Sequence, residues 1–133
     1  MSDITRKLIE DRVNHTAALF GVHFPLHLEP TIYAFAEHLS PDYRGGYWLF
    51  YTLSNGGFYM TPDDDRPFSV RSENGFSGVL SADALGITAC LYAYSHLSFS
   101  KMLIADTFAA QYHRLREYAL DHAEAGAIMA AID

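Results

Sequence analysis

The chain of 133 residues and 14.9 kDa is long enough to bury an apolar core without disulfides or a structural metal, and one domain, 1-133, is expected. Half of it is hydrophobic, 14% is aromatic and 19% is charged, which excludes disordered, collagen-like and coiled-coil classes. The formal net charge of −7 comes from 16 acids against 9 bases, and the scattered Lys and Arg form no basic stripe, so direct nucleic-acid binding is disfavoured.

The N-terminal MSDITRKLIEDR alternates charge without an apolar secretory core, so no signal peptide is expected. Ser2 or Asp3 is a candidate cap for a first helix with Ile4, Leu8 and Val13 on one side. A second helix is predicted from about Pro30 to Leu39, with Ile32, Phe35, Ala36 and Leu39 at helical spacing and Ser40-Pro41 as its stop.

The middle of the chain changes period. Tyr47 to Leu53 and Phe58 to Thr61 flank Ser54-Asn55-Gly56-Gly57, a hairpin signal of type I′ with Asn55-Gly56 as a two-residue loop. That loop places Leu49, Tyr51, Leu53, Phe58 and Met60 on one face and Trp48, Phe50, Thr52, Tyr59 and Thr61 on the other. Neither face is charged, so both are expected to be largely covered. Pro62 to Pro67 reads as a charged loop. Phe68 to Glu73 and Phe76 to Leu80 then flank Asn74-Gly75, a second hairpin, with Phe68, Val70 and Val79 facing together opposite Ser69, Arg71, Phe76 and Leu80.

Ser81 caps a predicted helix from about Ala82 to Leu97 whose apolar positions surround it, marking the central helix. The longest uncharged stretch, Ala84 to Ser100, falls short of the ~20 apolar residues of a membrane span. Further helices are expected from about Met102 to Leu120 and within Glu124 to Ile132. The pattern predicts an α+β fold: a four-stranded antiparallel meander packed by N-terminal and C-terminal helices.

Chemistry-bearing patterns are sparse. His23 and His27 are four apart, but Pro25 between them opposes a regular helix, and no HExxH is present. His113 and Glu117 are four apart on a predicted helix without a third metal ligand. Asp63-Asp64-Asp65 lacks the spacing of a calcium loop and reads as a solvated turn. Cys90, the single cysteine, is mid-helix among apolar residues, which suits a reduced cytosolic compartment and disfavours a thiolate. No catalytic, cofactor or metal site is therefore expected. Tyr47, Trp48, Tyr51 and Tyr59 lack the interleaved basic residues of a base-stacking platform and suit core and protein-contact roles.

Two long segments carry a resemblance. Arg44 to Pro62, RGGYWLFYTLSNGGFYMTP, resembles the GGYWxFYxLSNGGFYMxP signature of the antirestriction protein family of ArdB/KlcA type. Asn74 to Ile87, NGFSGVLSADALGI, resembles that family's NGFxGxLSADAxGI segment, and Tyr112 to Arg116, His122 to Ala125 and the closing Ala131-Ile132-Asp133 resemble its C-terminal part. His122-Ala123 departs from the His-Pro common in the family.

The resemblance implies a bacterial, cytoplasmic protein of plasmids or other mobile elements that relieves type I restriction of incoming unmodified DNA without catalysis. The implied partner is a type I restriction-modification complex or an accessory host protein. Tyr47, Trp48, Tyr51, Asn55, Gly56, Gly57 and Tyr59 of the signature are candidate partner contacts, and the basic-free stretch bearing Glu117, Asp121, Glu124 and Asp133 is a candidate acidic contact. Two alternatives stay open: an acidic DNA mimic, whose charge density 16 acids and 9 bases approach poorly, and a small metal-dependent enzyme.

Overall fold

A computed structural model describes residues 3–133. In chain order it contains β1 (Arg6–Leu8), α1 (Arg12–Phe20), one π-helical turn (Phe24–Leu28) running into α2 (Glu29–Leu39), β2 (Trp48–Leu53), β3 (Phe58–Pro62), β4 (Phe68–Arg71), β5 (Ser77–Leu80), α3 (Ala82–Ser98), α4 (Ala105–Ala119) and α5 (Ala125–Ile132). The α+β class and the packing of helices from both ends of the chain against antiparallel hairpins stand as predicted. Helix α3 is the centre: it is buried on almost every side, and α2, β3, α4 and α5 all pack on it.

The four hairpin strands do not form one continuous meander. β1, β2 and β3 make an antiparallel sheet, and β4 pairs only with β5. The physical reason is that α3 covers the outer edge of β3. The Met60 N–H meets Cys90 Sγ at 3.5 Å, that thiol lies 3.6 Å from the Met60 carbonyl, and Tyr94 Oη donates to the Phe58 carbonyl at 2.8 Å. Thr61 Oγ1 donates to the Ala82 carbonyl at 2.7 Å. Only glycine permits this approach at position 86, where a Cβ would lie 2.5 Å from the Met60 carbonyl oxygen. With its edge groups satisfied by side chains, β3 offers no ladder to a fourth strand.

The expected first helix is replaced by β1. The Thr5 carbonyl accepts from Ser54 N–H at 2.9 Å and the Ile9 N–H donates to the Phe50 carbonyl at 2.8 Å, so residues 5–9 lie extended along β2. Arg6, Lys7 and Leu8 are all exposed, Ile9 is buried and Val13 is exposed, so the apolar stripe expected of a helix through Ile4, Leu8 and Val13 does not form. Of the two candidate caps, Ser2 lies outside the described residues and Asp3 precedes an extended segment. The actual cap is Asp11, whose carboxylate accepts the Asn14 N–H at the start of α1. Pairing of residues 5–9 with a strand about 45 positions away outweighs weak local helical preference here.

Both Asn-Gly turns also differ from the expected geometry, in the same way. Gly56 N–H donates to the Leu53 carbonyl while Leu53 N–H donates to the Gly57 carbonyl, and Gly75, Ser72 and Phe76 repeat the pattern. Each loop therefore holds three residues, a type I turn closed by a glycine at positive φ, 88° at Gly56 and 94° at Gly75. The asparagines stay at negative φ because their side chains are engaged. Asn55 Oδ1 accepts Gly57 N–H and its Nδ2 donates to the Arg114 carbonyl; Asn74 Oδ1 accepts Phe76 N–H and its Nδ2 donates to the Ala130 carbonyl.

The extra loop residue shifts each register by one and exchanges partners across the faces. Phe50 opposes Met60, Trp48 opposes Pro62, and Tyr51 opposes Tyr59, so Trp48 and Phe50 share a face with Phe58 and Met60. In the second hairpin Phe68, Val70 and Leu80 share the buried face, and Val79 joins Ser69, Arg71 and Ser77 outside. The aromatic core lies where α1, β2, β3, α3 and α4 meet: Phe20 stacks on Tyr94 and Phe108 and meets Phe58 edge-on at 5.7 Å.

Candidate functional site

The first signature segment builds a cation–aromatic strip along the three-stranded sheet. Tyr47 is exposed, and the Arg12 guanidinium lies 4.6 Å from its ring centre and 4.2 Å from that of Phe50 while donating to the Trp48 carbonyl at 2.6 Å. Trp48 is buried, and its indole N–H donates to Tyr43 Oη at 3.0 Å. Tyr51 is half-buried, stacks on the buried Tyr59 at 5.2 Å and carries the Arg6 guanidinium 4.3 Å above its ring. At the hairpin tip the Gly56 carbonyl accepts from Gln111 Nε2 at 3.0 Å, and Gly57 is buried against Leu53 and Arg114. Of the seven signature residues, Tyr47 presents its ring most openly; Trp48, Gly57 and Tyr59 face the interior.

The second signature segment supplies three side chains that hold distant parts of the chain on α3. Asn74 donates to carbonyls at the end of α5, including that of Asp133, and so caps its C-terminus. Ser81 caps α3 through the Ala84 N–H, while its own N–H and hydroxyl donate to the Glu124 carboxylate. Asp83 is the junction. Its Oδ1 accepts from Arg6 and from Tyr59 Oη, both at 2.8 Å, and its Oδ2 accepts from His122 Nε2 at 2.8 Å. His122 Nδ1 accepts the Glu124 N–H at 2.9 Å, which assigns the ring proton to Nε2.

One carboxylate thus ties β1, β3, α3 and the α4–α5 connection together. Burial by itself raises the Asp83 carboxyl pKa, but the hydrogen bonds from His122 and Tyr59 and the charge of Arg6 outweigh it and hold the group below the usual carboxylate range. The Tyr59 hydroxyl is pushed far above its ordinary value by burial and by the adjacent Asp83 charge. His122 has both ring nitrogens engaged and Tyr59 is buried, so the cluster works as a structural joint. Sequence reading missed it because Arg6, Tyr59, Asp83 and His122 are separated by up to 116 positions, and no spacing rule links them.

The acidic candidates separate into two kinds. Glu124 is bound to Ser81, whereas Glu117, Asp121 and Asp133 lie on the surface of α4 and the C-terminal segment. His113 and Glu117 share the exposed face of α4, and among the described residues no group of three His, Cys, Asp or Glu side chains is placed to hold a metal ion. His23 and His27 stack at 5.4 Å on the π-helical turn. In the acidic turn the Asp64 carboxylate is taken by Arg66 at 2.7 Å. Cys90 is fully buried, and burial pushes its thiol up to about 12. No helix among the described residues is long and apolar enough to cross a membrane.

Fold and site together define a small α+β protein in which two sequence motifs lock two hairpins and a C-terminal helix onto one central helix. A profile of the antirestriction protein family matches residues 41–133, and the chain belongs to that family. It is 42% identical over 134 residues to antirestriction protein KlcA of Escherichia coli, covering 97% of this chain and 92% of that protein. It is 38% identical to YubI of Escherichia coli K12, described as a putative antirestriction protein, over 92% of this chain and 90% of that one. A solved structure superimposes with a TM-score of 0.91 at 39% identity, over 99% of this chain and 96% of the other. It comes from the KlcA and ArdB proteins, which show a novel fold and antirestriction activity against type I DNA restriction systems in vivo but not in vitro.

Proposed function

We propose that this chain relieves type I restriction of incoming unmodified DNA inside a bacterial cell, and that it does so by protein–protein contact and without catalysis. The observation that carries the reading is the likeness to KlcA and ArdB over nearly the whole of both chains, because those proteins act in vivo but not in vitro. An activity that needs the cell suits an inhibitor working through the assembled restriction complex or an accessory host protein. The residues that support such contact are Tyr47 and Tyr51 on the aromatic strip and the exposed Glu117 and Asp133 near the C-terminus.

The distribution of carboxylates favours this over DNA mimicry. A mimic needs free carboxylates spaced like phosphates. Among the described residues at least seven of the 16 acids have their side chains in internal hydrogen bonds: Asp11, Glu29, Asp42, Asp64, Glu73, Asp83 and Glu124. The test is plating of unmodified phage on restricting cells with and without the protein. Restored plating is expected, reduced by Tyr47→Ala and by the paired Glu117→Gln, Asp133→Asn substitution at equal protein levels; unchanged plating with the wild-type protein overturns the reading. Competition of the purified protein with DNA for the restriction enzyme at low salt separates the mechanisms, since a mimic competes and a contact inhibitor of this kind does not.

A further inference from the structure

The connection between α4 and α5 is held by an imidazole in one protonation state. His122 lies just past the end of α4, and its side chain is 12% exposed. Its Nε2 donates to Asp83 Oδ2 at 2.8 Å and its Nδ1 accepts the Glu124 N–H at 2.9 Å. A neutral ring, with one donor and one acceptor, fits both partners, whereas an imidazolium has two donors and no acceptor. A second ring proton therefore points at the Glu124 N–H and leaves that donor without its partner, which is costly in this half-buried setting. Glu124 is the residue on which the connection turns. Its carbonyl accepts the Ile128 N–H in the first turn of α5, and its carboxylate accepts the Ser81 N–H and hydroxyl at the start of α3.

We infer that His122 is a proton-sensitive latch: neutral, it holds the α4–α5 connection on α3, and protonated, it releases the Glu124 N–H and loosens both the connection and the Ser81–Glu124 clasp. The titratable and charged groups around the ring come from every element packed there: Arg6 of β1, Tyr59 of β3, Asp83 of α3, Tyr118 of α4 beside Tyr59, and Glu124, with the exposed Asp121 next in the chain. Imidazoles titrate across about pH 8 to 5. Through that range Arg6 stays cationic. Asp83 stays anionic because, against the effect of burial, its hydrogen bonds with His122 and Tyr59 hold its carboxyl below the usual range, and Tyr59 stays neutral because burial pushes its hydroxyl far up. The carboxylates of Asp83 and Glu124 attract a proton to the ring and Arg6 opposes it. What makes its arrival disruptive is the donor already facing Nδ1. The inference does not depend on the antirestriction reading, since it concerns a joint of the fold and not the process the protein serves.

The test is a pH titration of the full chain, isotope-labelled, followed by nuclear magnetic resonance at the imidazole nitrogens and the backbone amides. The expected result at about pH 8 is a His122 ring protonated at Nε2 alone. As that ring titrates, the exchange protection of the Glu124 amide is expected to fall by about tenfold or more, the Ser81 amide to shift with the same midpoint, and residues 55–57 at the β2–β3 turn to stay unchanged. In His122→Asn the side-chain oxygen can still accept the N–H two residues on but does not titrate, so the protection of Glu124 is expected to be flat across the same range. Should that variant fold poorly, the shared midpoint in the unsubstituted chain still decides, and His113→Asn, at an exposed position of α4, is expected to leave it unmoved. A ring protonated at Nδ1 at the start, Glu124 protection that is unchanged while His122 titrates, the same loss of protection in His122→Asn, or a His122 ring that stays neutral until the whole chain unfolds each overturns the proposal.

Discussion

The hairpins β2–β3 and β4–β5 share an Asn-Gly turn, a three-residue loop and an asparagine whose side chain donates to a helix carbonyl, that of Arg114 within α4 and those at the end of α5, yet one is interior and the other is surface. All five residues of β3 are buried, and its free edge is closed by Gly86, Cys90 and Tyr94 of α3. In β4 and β5 Phe68, Val70 and Leu80 point inward, while Ser69, Arg71, Ser77 and Val79 face solvent. The difference teaches that identical local turn chemistry does not set burial. What sets it is whether a neighbouring element can satisfy the strand's outward backbone groups. Helix α3 does so for β3 because a glycine lets it approach and a thiol and a phenol complete the hydrogen bonds.

The comparison can be broken most directly at Gly86. Gly86→Ala forces a methyl group into the Met60 carbonyl and is expected to cost about 2–4 kcal/mol, read as a fall in thermal midpoint. Gly126→Ala, on α5 with open space around it, is expected to leave stability unchanged or raise it by about 0.5–1 kcal/mol. Equal effects of the two substitutions would contradict the sealing role of α3.

Asp83→Ala comes next, at about 2–3 kcal/mol, because it leaves Tyr59 and His122 without their acceptor. The same group predicts a pH dependence. Its folded pKa is depressed, so its contribution is fully present above the unfolded carboxylate value near ~3.9 and is lost as pH falls through the lower folded value. Denaturant titrations across that acidic range are expected to show a shallower loss of stability in Asp83→Asn than in the unsubstituted protein.

Cys90→Ala removes the group that meets both polar atoms of Met60 and is expected to cost about 1–3 kcal/mol. With its thiol buried and its pKa pushed up to about 12, Cys90 should resist a thiol-specific alkylating reagent in the folded protein at neutral pH and react after unfolding. The smallest effect belongs to the outer hairpin: Val79→Thr, at an exposed position, is expected to change stability by no more than about 0.5 kcal/mol. A larger loss there would mean that β5 is covered in solution.

Much of this architecture was legible beforehand. Helix α2 starts at Pro30's turn and stops before Pro41, α3 is capped by Ser81, and both hairpins lie where Asn-Gly marks them. Those features depend on backbone rules acting within a few residues. The signature segments were legible as a family resemblance, but not as a joint. Ser81 with Glu124, Asp83 with Arg6 and His122, and Asn74 with the last carbonyls of α5 are contacts across 39 to 77 positions.

By itself the sequence determined the element types after residue 29, the central place of α3, the scarcity of catalytic patterns and the family. The tertiary structure decided that residues 6–8 are a strand, that each turn has three residues, and that the hairpins lie in separate sheets. The reason is common to all three. Each was settled by where backbone and side-chain polar groups find partners far along the chain, and a one-residue change of register leaves local preference nearly unchanged while exchanging which side chains meet.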